Sequence, residues 1–139
     1  MIKELVTDEE LLTTPCEEAT ADDADVAQDL LDTLESIEDA ACLAANQIGV
    51  SKAIIVYKDD KDRAHVMYNP GMKRALRPAR VEEGCLTREG TTKVTRYDQA
   101  TFTYQEFVDG VLIPRKKECR GWTAQIIQHM IDHCKGKYI

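Results

Sequence analysis

The segment Gln128-His129-Met130-Ile131-Asp132-His133-Cys134-Lys135-Gly136 sets two histidines four residues apart. On a helix that spacing stacks both imidazoles on one face, one turn above the other. Two imidazoles so placed can reach a single cation, and a third ligand from elsewhere in the chain would complete the site. The same pair also suits a helix face packed in a core or washed by solvent. Trp122, Ile126, His129 or Met130, and His133 recur at helical spacing, which predicts a final helix from about Gly121 to Cys134.

The remainder of the chain reads as strands preceded by a second helix. Thr7 to Pro15 is loop-like, and an acidic run leads into a helix that Asp22 or Asp23 can cap. Its apolar stripe is Val26, Leu30, Leu34 and Ile37. Small residues then concentrate between Asp39 and Val50, where backbone comes close to something, and Gln47 stands out there as a polar group that needs partners. Ala53 to Tyr57 reads as a buried strand. Val66-Met67-Tyr68 reads as a second strand, stopped by Asn69-Pro70-Gly71. Lys93 to Tyr97 and Ala100 to Phe107 continue the pattern, and Asp109-Gly110 between apolar runs signals a hairpin. The expected class is α+β: antiparallel or mixed sheets around a C-terminal helix that carries the histidines, with a further helix near the N-terminus. No repeat, linker or low-complexity tract interrupts the 139 residues, so one domain spanning 1–139 is expected.

Charge and cysteine usage narrow the function classes. A formal net charge of -7 lacks the basic footprint of a nucleic-acid binder. The local basic cluster of Arg115, Lys116, Lys117, Arg120, Lys135 and Lys137 would suit an anionic partner. No apolar run approaches a membrane span and the start lacks a signal-peptide core, so the expected location is the cytoplasm. Cys16, Cys42, Cys85, Cys119 and Cys134 form an odd, scattered set that reads as reduced thiols.

A third ligand is available in Val81-Glu82-Glu83-Gly84-Cys85-Leu86-Thr87, where a cysteine follows glycine on a strand edge or tight loop. Taken singly, Cys85 also fits a small buried hydrophobe. With His129 and His133 it would make one thiolate and two imidazoles, three ligands with an open fourth position, as in catalytic rather than structural sites.

Three motifs in order make the chain resemble the peptide deformylase family from end to end. Ala40-Ala41-Cys42-Leu43-Ala44-Ala45-Asn46-Gln47 matches Gly-x-Gly-x-Ala-Ala-x-Gln. Glu83-Gly84-Cys85-Leu86-Thr87 matches Glu-Gly-Cys-Leu-Ser, and Gln128 to Gly136 matches Gln-His-Glu-x-Asp-His-x-x-Gly. Asn69-Pro70 and Val94-Thr95-Arg96 are further family landmarks. The resemblance implies removal of the formyl group from N-terminal formyl-methionine of new polypeptides, with no nucleic acid or membrane as direct partner. It implies one divalent metal ion on Cys85, His129 and His133, ferrous iron by preference, with zinc, nickel or cobalt as substitutes. It implies the Gln47 amide and the Leu86 backbone N–H as donors to the oxyanion. Ala40, Cys42, Leu43, Glu83, Gly84 and His129 would line the peptide. Glu83 would pair with Arg96 and steady the Cys85 loop, and Asp132 and Gln128 would orient neighbouring groups.

The departures are as informative as the matches. Met130 stands where the family has the glutamate that moves the proton, and a thioether has no exchangeable proton. Metal binding is therefore expected to persist while turnover slows or stops, leaving a weak enzyme or a metal- and peptide-binding relative. Ala40 and Cys42 replace two glycines, which would narrow the peptide groove or forbid a backbone angle that needs glycine. The chain ends three residues after Gly136, so docking on the ribosome through a C-terminal extension is not expected.

Overall fold

The computed structural model describes residues 1–139. Five strands neighbour one another in chain order: β1 (Cys42–Ala44), β2 (Ile54–Lys58), β3 (Ala64–Cys85), β4 (Arg88–Val108) and β5 (Val111–Arg120). Each neighbouring pair is antiparallel, and one isolated parallel bridge joins Glu17 to Lys52. Helices α1 (Glu9–Leu12) and α2 (Ala24–Ser36) precede the sheet, and α3 (Gly121–Cys134) follows it. The class is α+β, as the pattern of elements implies. No helix is long and apolar enough to cross a membrane.

β2 shows why its sequence is an unbroken apolar run. Side chains alternate faces along a strand. Ile54 and Val56 pack with Leu30, Leu34 and Leu43 in one core cluster, whereas Ile55 and Tyr57 pack with Ile127 and Met130 in another. The strand is covered on both faces, by α2 and by α3, so both sets of positions must be apolar.

Asn69-Pro70-Gly71 does not stop the strand as expected; β3 runs through it as a bulge. Pairing with β4 skips from Tyr68 opposite Gln105 to Gly71 opposite Thr103, and a second irregularity follows between Met72 and Arg74. Pro70 offers no N–H, and Asn69 takes a left-handed φ of 51°. The Asn69 side chain compensates: its Nδ2 donates to Ala19 O at 2.9 Å, and its Oδ1 accepts from Ala19 N at 2.8 Å. Bulges bend a strand. Here they curve the β3–β4 hairpin so that its tip, Cys85, reaches α3.

Two helix starts also differ from expectation. The 7–15 segment holds a single helical turn, capped by Asp8 accepting from Glu10 N at 3.0 Å; one turn is too short to leave a periodic signal. Before α2, the reciprocal cap is made by Thr20 and Asp23 around a 3-10 turn over Ala21–Asp23. The expected hairpin is present: Asp109 and Gly110 both take positive φ, 50° and 84°, which gives the two-residue turn that matches strand twist.

Candidate metal centre

α3 is largely buried and turns Gln125, His129 and His133 toward the end of the β3–β4 hairpin. His129 and His133 place their Nε2 atoms 3.0 Å apart. The Cys85 Sγ lies 3.3 Å from His133 Nε2, and the three ligand atoms all lie within 4.8 Å of one another. A tetrahedral ion with ordinary Zn–S and Zn–N distances needs ligand separations of about 3.3–3.6 Å. The sulfur–nitrogen separation meets that requirement and the two imidazole nitrogens lie a few tenths of an ångström inside it, so small shifts let the three groups take one divalent cation with a position left over; a sulfur–nitrogen donor set suits a borderline-soft ion.

The electrostatics of the cluster are those of a thiolate facing imidazolium. Burial works to raise the Cys85 pKa, but hydrogen bonds from His129 and His133 outweigh it and bring the thiol down to about 5. Burial likewise works against charge on His129, yet its bonds to Cys85 and Glu83 lift it to about 9. Glu83, resisted by burial, is held down at about 2 by His129, Arg96 and Gln125.

Glu83 is the hub behind the ligands. Its Oε1 lies 2.8 Å from His129 Nδ1, which fixes the ring so that Nε2 faces the cluster. Arg96 pairs with it through Nε at 3.0 and 3.1 Å and a terminal nitrogen at 2.8 Å. Arg96 also donates to Asp132 Oδ2 at 2.7 Å, so one guanidinium ties α3 to both β3 and β4. Gln125 donates to Glu83 Oε2 at 2.9 Å. Gln128 does something different: it grips the Tyr97 backbone, accepting from N at 2.9 Å and donating to O at 2.8 Å. It anchors the helix to β4 and makes no hydrogen bond to the ligands.

Gln47 is 1% exposed in the 3-10 turn after β1. Its Oε1 accepts from Ala44 N at 2.9 Å, which leaves Nε2 to face Cys85 Sγ at 3.3 Å and Thr87 Oγ1 at 3.2 Å. The amide orientation is thus set by the backbone, with the donor end toward the ligands.

A cavity of about 410 Å³ opens beside these groups. Ala40, Cys42, Glu83, Gly84, Leu86 and Met130 are in its wall, with Gln47, Cys85 and His129. Leu43 is not: it is fully buried in the α2-side core, because the alternation of β1 that turns Cys42 to the cavity turns Leu43 away. Neither Ala40 nor Cys42 takes a positive φ; Asp39 does, at 64°. The lost glycines therefore impose no backbone strain, and the Cys42 thiol narrows the cavity by its volume alone. Burial, then the charges of Cys85 and Glu83, push that thiol up to about 12. Met130 is 2% exposed and packs among Ile55, Tyr57 and Ile127 while touching the cavity, so no carboxylate stands there.

Sequence reasoning missed Trp122, Gln125 and Ile126 as wall residues. The signal was present: each lies on the His129 face of α3 at helical spacing. Trp122, 58% exposed at the rim, is the largest of them.

The polypeptide deformylase family profile matches residues 2–139. The chain is 40% identical over 137 residues to a peptide deformylase of Clostridium beijerinckii, covering 98% of both chains. It is 34% identical to peptide deformylase 1 of Bacillus cereus, covering 91% of this chain and 82% of that one. Among solved structures, a peptide deformylase from Legionella pneumophila superposes with a TM-score of 0.84 at 28% identity, over 99% of this chain and 83% of that one.

Proposed function

The chain belongs to the polypeptide deformylase family, and from that premise we propose that it hydrolyses the formyl group from N-terminal formyl-methionine of new polypeptides, at a rate reduced by Met130. The observation that carries this reading is the convergence of Cys85, His129 and His133 beside the locked amide of Gln47. These three residues would hold one divalent ion, ferrous iron by preference, with zinc, nickel or cobalt able to take its place. When bound, the ion supplies Lewis acidity that makes water a nucleophile near neutral pH.

The chain's own residues do the rest. β1 is an edge strand, so its outer side can pair with an extended peptide backbone. That pairing delivers the formyl carbonyl to the cluster, with the first side chain in the cavity. Gln47 Nε2 donates to the oxygen that gains charge, and the Leu86 backbone N–H is the second donor. Glu83, charged and paired with Arg96, holds the His129 ring in place. Met130 cannot take the proton from water and pass it to the leaving amine, and loss of such help costs about 10²–10⁴-fold.

Met130 also favours a second reading, a protein that binds formylated peptides without turnover. Formate release from a formyl-Met peptide by iron-loaded protein under anaerobic conditions decides between them. Slow release above a metal-free control is the expected result. No release with saturable peptide binding establishes the second reading, and release at the rate of ordinary family members overturns the role given to Met130.

A further inference from the structure

Gln125 lies one turn before His129 and two turns before Asp132, so the three occupy one face of α3. All three are engaged with a single buried ion pair on the facing strands. Gln125 Nε2 donates to Glu83 Oε2 at 2.9 Å, His129 Nδ1 meets Glu83 Oε1 at 2.8 Å, and Asp132 Oδ2 accepts from Arg96 at 2.7 Å. A carboxylate has about four lone-pair sites. Oε1 is served by His129 and twice by Arg96, whereas Oε2 has only the Arg96 Nε, at 3.0 Å, besides Gln125. The helix thus grips both oxygens of one carboxylate from successive turns. Glu83 is two residues from Cys85, on the same strand. Whatever fixes the axial position of α3 against Glu83 therefore fixes the distance between the cysteine ligand and the two histidines.

We propose that Gln125 is a positioning residue for the metal ligand His129, acting through Glu83 to set the register of α3 against the Cys85 strand. A neutral amide suits this task, because it completes the Oε2 shell without competing with Arg96 for charge. A leucine or methionine of similar size removes that donor, so Oε2 keeps only the Arg96 Nε and α3 holds the carboxylate through His129 alone. The proposal rests on the metal centre of the preceding reading but not on deformylation.

The test is metal affinity of Gln125→Leu and Gln125→Met against wild type, by chelator competition with Zn²⁺, together with the visible spectrum of the Co²⁺-loaded proteins. Both variants are expected to bind Zn²⁺ about 10-fold more weakly, the low end for residues that orient a ligand, and to shift the cobalt bands. Gln125→Glu adds a like charge beside Glu83 and is expected to lose more at pH 7, with the ratio to wild type narrowing as acid protonates the new carboxyl. Affinities within twofold of wild type with an unchanged cobalt spectrum overturn the proposal. So does weaker binding with an unchanged spectrum and a lowered unfolding midpoint of the metal-free protein, since that marks a general structural role. If formate release is absent from every form while the cobalt bands shift in the variants, the deformylase reading fails and this one stands.

Discussion

Gln47 places its amide nitrogen 3.3 Å from the Cys85 sulfur, across 38 residues of chain, because its own oxygen is occupied by the Ala44 N–H. The donor is fixed before any substrate arrives, which is the condition for strong stabilisation of developing charge. Gln47→Leu, made in a Met130→Glu protein so that turnover is easily measured, is expected to lower formate release by about 10²–10³-fold with metal content unchanged. Metal analysis alongside the rate separates this from loss of the ion.

Met130→Glu is expected to raise formate release by about 10²–10⁴-fold. The gain comes with lower stability, since Met130 is 2% exposed within an apolar cluster that the carboxylate must border. A formate assay and urea unfolding of the same preparation check both. If the rate does not rise, the Cys42 thiol in the cavity wall is the block, and Cys42→Gly is the next variant.

The Cys85 thiol, brought to about 5 in the metal-free protein, is expected to react with iodoacetamide well below the pH at which ordinary thiols do. Its labelling rate should inflect near 5, whereas Cys42, pushed up to about 12, stays unlabelled at neutral pH. Peptide mapping assigns the sites. Stoichiometric Zn²⁺ should protect Cys85, and protection should vanish in His133→Ala.

Arg96→Met leaves Glu83 and Asp132 buried without their cation. Breaking one side of a buried pair costs about 3–5 kcal/mol. Glu83 is held at about 2 in the fold, against about 4.3 in an unfolded chain. Its contribution is therefore present above the unfolded value and is lost as pH falls through the folded one. The stability gap between wild type and variant, measured by urea unfolding, should be widest near pH 7 and close between about pH 4 and 2.

Gly136 has φ of 78°, and a Cβ there would lie 2.6 Å from Thr13 O and 2.8 Å from Pro15 N. Gly136→Ala is expected to cost about 2–4 kcal/mol, strain and clash together. Gly110 has a similar φ of 84° but nothing within 4 Å of that position, so Gly110→Ala should cost only about 1 kcal/mol. Paired denaturation curves test the difference.

The lesson for sequence reading lies in particular residues. His129 and His133 were legible as candidate ligands from helix spacing, and Cys85 joined them through the family resemblance of the Glu83 to Thr87 motif; the Asp109-Gly110 turn was legible from local chemistry. The Asn69-Pro70-Gly71 segment misled, since a proline and a left-handed asparagine mark a stop and a bulge alike. For Leu43 the motif named the position but not the face: its side chain lies in the core.

The sequence alone supplied the candidate donor atoms, the helix that carries two of them, the absence of a carboxylate at position 130 and the α+β class. These follow from residue chemistry and from the fixed periods of helix and strand. Only the tertiary structure decided that Gln125 joins His129 and Asp132 on the Glu83–Arg96 pair, that Leu43 faces the core, and that Ala40 and Cys42 sit without strain. The last two depend on which face of β1 is turned to α2; the first depends on how bulges curve a long hairpin toward a distant helix. The bend sums small dihedral departures over many residues, and no local pattern of side chains encodes that sum.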